Sequence, residues 1–337
     1  MNLQELWFVL IAVLFIGFFF LEGFDFGVGM ATRLITKSRA ERDQLVRTIG
    51  PFWDGNEVWL LTAGGAIFAA FPHWYATLFS GYYIPLVIVL LALIIRGVSF
   101  EFRNKMITEK GRNVWDWGLF IGSLLPPFLL GVLFTSMVKG MPIDANMNMY
   151  AGFLDYISLY SIVGGVAVTL LCLLHGLNFI SLRTLGDVRE RATALSKKLY
   201  LLLYAGLAAF ALLTFLYTDF FKVRPVVIVA ILALIVIASI IAHYSVSRKK
   251  EAVSFALSGL TLCLVVVLLF SGLFPRVMVS SLDPAYNMTI YASSSSQYTL
   301  GLMTKVAVII LPFVLAYQIW SYYVFRQRVT RTIDAAE

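Results

Sequence analysis

The sequence predicts an all-α polytopic membrane protein with about nine transmembrane helices, grouped as two four-helix bundles plus one peripheral helix. Three observations lead there. The 337 residues are 60% hydrophobic and only 13% charged, with a mean hydropathy of +0.85, far from the balance of a soluble domain. Nine apolar runs approach or exceed the roughly 20 residues that a helix rising about 1.5 Å per residue needs to cross hydrocarbon. The basic residues between those runs alternate from loop to loop.

The runs lie at approximately 7–31, 52–71, 78–100, 115–138, 157–181, 198–218, 224–245, 252–274 and 303–325. The first follows MNLQEL, which lacks a basic stretch and an A-x-A cleavage site, so it is kept as a span rather than a cleaved leader. Short connections favour pairing of sequential helices, which leaves the ninth outside two bundles. No soluble segment is long enough to stand alone, so 1–337 reads as a single integral-membrane domain. Pro85, Pro126, Pro127 and Pro312 fall inside runs, where each removes a backbone donor and favours a kink. Trp7, Trp53, Trp74, Trp115 and Trp117 fall near run ends, as interfacial aromatics do, whereas Trp59 lies deeper.

Of 26 Lys and Arg, 20 occupy the odd-numbered loops and the tail, from Arg33, Lys37, Arg39, Arg42 and Arg47 to Arg326, Arg328 and Arg331. The other loops hold Lys139, Lys222, Arg224, Arg276 and Lys305, and Arg96 stands alone inside the third run. Basic loops favour the cytoplasm, so the amino terminus is expected outside and the carboxyl terminus inside. The net charge of +7 is thereby assigned to membrane topology, and no nucleic-acid partner is expected. Of the outer connections, PHWYAT reads as tight; 139–156 and 275–302 are longer. The last includes LDPAYNMTIYASSSSQ, readable as an ordered loop or a flexible one.

Chemistry concentrates in the first third. Of 19 acidic residues, Glu22, Asp25, Asp54 and Glu57 lie within runs, with Glu101 and Asp116 at inner borders. Each pair is spaced i, i+3, about 60° apart on one helix face. Asp25 precedes Arg33 by roughly 12 Å of helix rise and Asp54 follows Gly50 by roughly 6 Å, so the four acids gather toward one side of the membrane. Arg96 and Glu101 reach a similar level from the third run. A charge facing lipid costs at least ~2.5 kcal/mol, so these groups should face a partner or water. Two readings stand: Arg33, Arg47 or Arg96 neutralises them structurally, or they form a proton entry path or cation site. A hard metal ion ranks lower, because no spacing matches an oxygen-ligand loop.

Cys172 and Cys263 fall in separate runs without a C-x-x-C spacing and read as packing residues. Of the histidines His73, His175 and His243, only His175 is deep enough for haem ligation, and a lone helical His more often bonds a neighbouring helix. Asn178 is its expected partner. Gly23, Gly27 and Gly29, with Ala63, Gly64 and Gly65, flank the acids and suggest a tight contact between the first two helices, with Asp54 facing Asp25.

Four segments carry a specific resemblance: GFDFGVGM at 23–30, PFWDGNEVWLLTAGGAIFAAFP at 51–72, FEFR at 100–103 and NVWDWGLFIGSLLPP at 113–127. With SSSSQYTLGLMT at 293–304, they resemble subunit II of the cytochrome bd quinol oxidases over nearly the whole chain. The resemblance implies a bacterial or archaeal cell-membrane complex that reduces oxygen to water with quinol. Its haem-bearing subunit I would hold haems b and d, with none bound by this chain, and a small accessory subunit is compatible. It also implies that protons come from the cytoplasm along a path including Asp25 and Asp54. Glu22 matches an acidic position, and Glu57 a position where an uncharged amide stands in relatives. The connection between the sixth and seventh runs is shorter than in longer members.

The rival class is a secondary transporter whose carboxylates bind a proton or cation. Such proteins place interrupted helices in matching positions of two repeated halves near the midplane. Here the acids occupy one half and lie toward one face.

Overall fold

The computed structural model describes residues 2–330. Arg331, counted with the basic tail, lies outside the described residues. Helix α1 (Leu3–Leu34) begins in a capping box, where the Asn2 side chain accepts from the Glu5 backbone amide and the Glu5 carboxylate accepts from that of Asn2. Then follow α2 (Arg39–Ile49), α3 (Trp53–Ala70), α4 (Pro72–Gly81), α5 (Tyr83–Lys105), α6 (Glu109–Lys139) and the single turn α7 (Phe153–Tyr156). The second half holds α8 (Leu159–Arg183), α9 (Asp187–Tyr217), the single turn α10 (Phe220–Val223), α11 (Pro225–Ser247), α12 (Glu251–Leu273), the single turn α13 (Ile290–Ser293) and α14 (Gln297–Val324). A two-strand ribbon pairs β1 (Arg276–Met278) with β2 (Met288–Thr289), antiparallel.

Eight of these helices are long and apolar enough to cross a membrane: α1, α5, α6, α8, α9, α11, α12 and α14. The run predicted at 52–71 is α3, whose 18 residues open on Asp54, Asn56 and Glu57; those polar residues keep it out of that set. One further expectation is corrected. PHWYAT is not a tight turn but the start of α4, a ten-residue helix with Pro72 in its first turn, where the missing amide costs nothing. The interior prolines Pro126, Pro127 and Pro312 sit within α6 and α14 without ending them.

Helices α1, α3, α5 and α6 pack as one group and α8, α9, α11 and α12 as another, with α14 outside against α1 and α3. The groups meet where α1 and α6 cross α8. In lipid there is no hydrophobic force between helices, so close backbone approach supplies the attraction. At Gly27 of α1 an added Cβ would lie 2.1 Å from the Cys172 carbonyl oxygen and 2.7 Å from Gly176 Cα. Gly131 of α6 meets Gly165 in the same way, its added Cβ 2.7 Å from Gly165 Cα. The seam therefore tolerates no side chain at these positions.

The end bearing the basic loops is laced by ion pairs. Asp116 of α6 bonds Arg42 of α2 at 2.6 Å and Arg103 of α5 at 2.9 Å; Arg103 also reaches Asp43 at 2.7 Å. Glu41 bonds Arg191 of α9 at 2.7 Å, and Glu251 pairs with both Arg189 and Arg328. The first residues after α14 are tied down here, with Val329 N donating to Arg183 O at 2.8 Å and Gln44 Nε2 to Val329 O at 2.9 Å. At the opposite end the long connections are ordered against one another. Met141 N donates to Val279 O at 2.9 Å, and Ser295 of the Ser-rich stretch donates its amide to Ala70 O at 2.9 Å. Of the two readings of that stretch, the ordered one holds.

Candidate functional site

The densest group of buried charge lies where α1, α3, α5 and α14 converge. Counting back from the basic end, Glu22 is roughly 18 Å up α1 and Arg96 roughly 14 Å up α5 by helix rise. Both side chains are fully buried and form an ion pair. Glu57 of α3 adds a second carboxylate, its Oε2 3.5 Å from Arg96 Nη1, and remains 23% exposed. The guanidinium also lies 4.9 Å from the Phe26 ring centre and 5.4 Å from that of Phe100, both faces that favour a cation.

Asp25, one turn from Glu22 and also fully buried, is met by an amide instead of a cation. Asn56 Nδ2 donates to Asp25 Oδ2 at 2.7 Å and to the Leu21 carbonyl at 3.3 Å. Its Oδ1 accepts from Tyr322 OH at 2.7 Å and Gln318 Nε2 at 3.4 Å, and Gln318 Oε1 accepts from Trp59 at 3.0 Å. The peripheral helix α14 thus completes a polar chain from Trp59 to Asp25. Toward the basic end, two stacked aromatic pairs cover the group: Phe52 on Tyr322 at 4.3 Å and Trp53 on Phe100 at 4.7 Å. Inside, Asp25 Oδ1 and Arg96 Nε and Nη2 are buried without a protein hydrogen-bond partner, the kind of polar lining on which ordered water is found.

The structure brings together Glu22, Asp25, Glu57 and Arg96. It leaves out two of the acids expected there. Asp54 does not face Asp25: it is exposed in the first turn of α3, because Asn56, two residues on and about 200° around the helix, takes the inward side. Glu101 is 69% exposed and lies 3.7 Å from Lys105 along its own helix. The tight glycine contact is also relocated. Gly65 has no neighbour within 4 Å of an added Cβ and Gly64 only Phe79 at 3.8 Å; the glycine that α3 covers on α1 is Gly17, where an added Cβ would lie 2.2 Å from the Trp59 ring, while Gly27 serves α8.

Sequence reasoning missed Asn56, Gln318 and Tyr322. For Asn56 a signal was present: the buried positions of α3 are Asn56, Ala63, Ile67 and Ala70, a stripe at heptad-like spacing that places Asn56 on the packed face. The α14 residues carry no such mark.

His175 is fully buried, with Nδ1 2.9 Å from Ser258 Oγ and Nε2 3.0 Å from the Phe20 carbonyl. Both ring nitrogens are thereby engaged within the bundle. Asn178, its expected partner, instead bonds Tyr200, Ser196 and Ser254. Cys172 and Cys263 are free thiols. Among the described residues no group of three or more His, Cys, Asp or Glu is arranged to hold a metal ion.

Comparison with known proteins places this architecture. The family model described as cytochrome bd terminal oxidase subunit II matches residues 3–325. The chain is 56% identical over 329 residues to cytochrome bd ubiquinol oxidase subunit 2 of Bacillus subtilis (strain 168), covering 98% of this chain and 97% of that protein. It is 34% identical over 364 aligned positions to cytochrome bd-I ubiquinol oxidase subunit 2 of Escherichia coli (strain K12), covering 98% and 96%. A solved structure of bd oxidase from Geobacillus thermodenitrificans superposes with a TM-score of 0.73 at 18% identity, over 96% of this chain and 97% of that one, a likeness of fold.

Proposed function

Because the chain belongs to the cytochrome bd terminal oxidase subunit II family, and so is a membrane-embedded subunit of a quinol-oxidising oxidoreductase of the respiratory chain, we propose that the buried acids relay protons within that complex. In this reading a subunit I carries haems b and d and the quinol site, and this chain braces it. Protons enter from the cytoplasmic side at the exposed acids Asp54 and Glu101, pass to Glu57, and reach Glu22 and Asp25 on the way to the partner's oxygen site. The amino terminus lies outside and the carboxyl terminus in the cytoplasm, as the basic loops favour.

One observation carries the reading: three carboxylates share a buried group with a single guanidinium. One cation balances one anion, and an unbalanced carboxylate at this depth is expensive. The remaining negative charge finds its counterpart most readily in protons, which come and go. Glu57, mostly shielded and one turn from Asp54, bridges the exposed and buried parts. For the haems, this chain contributes no axial ligand from His175, whose nitrogens are both bonded within the bundle. The transporter alternative finds no support in the relatives, and its required interrupted helices in two matching halves do not occur among the described residues.

The test uses the assembled oxidase in vesicles, with Asp25→Asn and Glu57→Gln made separately. Oxygen consumption and proton uptake fall together in both variants while the haem spectrum is retained. Full rates in both variants would overturn the relay and leave a purely structural role.

A further inference from the structure

Helix α14 touches the bundle near its two ends. At one end Leu300, its one buried residue among those described, accepts from Trp7 Nε1 at 3.2 Å through its carbonyl. At the other, Gln318 and Tyr322 reach Asn56 and the chain folds over Arg183. Between its last turns and the face made by α1, α8 and α12 lies a cavity of about 600 Å³, a size typical of ligand sites. Its walls are apolar, with Phe24 and Phe255 on the bundle side and Leu315 and Ile319 on α14.

The basic end of this cavity is different. Arg183, Arg326 and Arg328 all line it. Arg183 is only 8% exposed, and its Nε is buried without a hydrogen-bond partner. One of its donors reaches the Phe325 carbonyl; no carboxylate of the described residues forms an ion pair with it. Arg326 lies 3.8 Å above the Tyr323 ring and, among the described residues, bonds only that residue's carbonyl, at 2.7 Å. Glu251 offsets Arg328, at 2.7 Å, but is shared with Arg189. Among the described residues the cavity mouth therefore carries excess positive charge above an apolar slot.

We propose that this groove binds one anionic phospholipid from the leaflet beside the basic loops, its phosphate held by Arg183, Arg326 and Arg328 and its acyl chains laid between α14 and the α1/α8/α12 face. A guanidinium matches a phosphate with paired donors, and a basic pocket between membrane helices selects headgroups of net negative charge. A quinone supplies the apolar tail but no anion, and a zwitterionic lipid cancels its phosphate's charge with its own ammonium, so neither offsets the summed charge of the three guanidiniums. An occupant here also fills the gap beside Gln318 and Tyr322, holding α14 against the polar chain to Asp25.

The experiment uses the assembled oxidase complex, delipidated in detergent and offered phosphatidylglycerol or phosphatidylcholine, with retained lipid counted by native mass spectrometry. Other surfaces of the complex also hold lipid, so the reading is the loss in variants. Arg326→Gln and Arg328→Gln each weaken phosphatidylglycerol retention roughly fivefold, and together roughly twenty-fivefold, leaving phosphatidylcholine unchanged. Arg183→Lys keeps part of the retention; because Arg183→Gln also removes the tie to Phe325, the double variant at 326 and 328 decides. Equal phosphatidylglycerol retention in wild type and double variant overturns the proposal. So does equal retention of the two lipids by wild type, or loss of bound quinone in place of lipid from the double variant.

Discussion

Asn56 holds Asp25 at 2.7 Å across the contact between α3 and α1, and the same amide accepts a proton donor from α14 through Tyr322 at 2.7 Å. One neutral side chain therefore ties three helices around a buried carboxylate. Its carbonyl and amide ends are both engaged, so replacing it strands partners on two helices.

Asn56→Ala is expected to destabilise the protein by about 1–3 kcal/mol, the cost of leaving buried partners unsatisfied. A thermal melt of the detergent-solubilised complex measures it. A melting temperature equal to wild type would show that Asp25 and Tyr322 find other partners.

Arg96 presents a sharper case, since among the described residues it is the one cation within ion-pair distance of Glu22 and Glu57. Arg96→Leu leaves buried acids without a counter-charge and should cost about 3–5 kcal/mol, seen as poor assembly. Adding Glu22→Gln should recover part of that loss. Recovery absent from the double variant would mean that Arg96 acts by filling volume rather than by charge.

Glycine substitutions separate the two kinds of small-residue site. Gly27→Ala forces a Cβ against the backbone of α8 and is expected to cost about 1–3 kcal/mol or to shift the helices apart. Gly65→Ala meets nothing within 4 Å and should leave stability unchanged or raise it, because alanine is the better helix former. Equal melting temperatures for the two variants contradict the assignment of the seam to α1 and α8.

Glu41 gives the pH dependence. Burial pushes its carboxyl upward, but the Lys37 backbone amide at 2.6 Å, Arg191 at 2.7 Å and the Ser38 amide outweigh that and hold it below the usual carboxylate range. A group depressed in the folded state stabilises fully above its unfolded pKa, and that stability is lost as pH falls through the folded value. The wild-type melting temperature is therefore expected to drop below about pH 4.3, the ordinary Glu value, and Glu41→Gln should show a flatter profile there. Parallel curves for the two proteins would remove Glu41 as the responsible group.

Much of the architecture was legible along the chain. Length and hydropathy marked the eight helices long and apolar enough to span, because a helix must satisfy its own backbone in lipid and so demands a continuous apolar run, and they also located α3. The acids Glu22, Asp25 and Glu57 were legible too, since a charge inside such a run stands out. The failures have one cause. Helical periodicity states which residues share a face, as Asp54 and Glu57 do, but not which neighbour that face meets. The rotation of α3 that buries Ala63, Ile67 and Ala70 also brings Asn56 to Asp25 and leaves Asp54 exposed.

By itself, then, the sequence determined the long helices, the basic end of the bundle and the presence of buried charge, all set by local transfer energies between water and lipid. Only the tertiary structure decided that Arg96 pairs with Glu22, that an amide rather than a second acid attends Asp25, and that α14 brings Gln318 and Tyr322 to it. Those choices depend on the rotation and distance of helices far apart in sequence. Side-chain volumes at the crossings set both, and neither leaves a period in the chain.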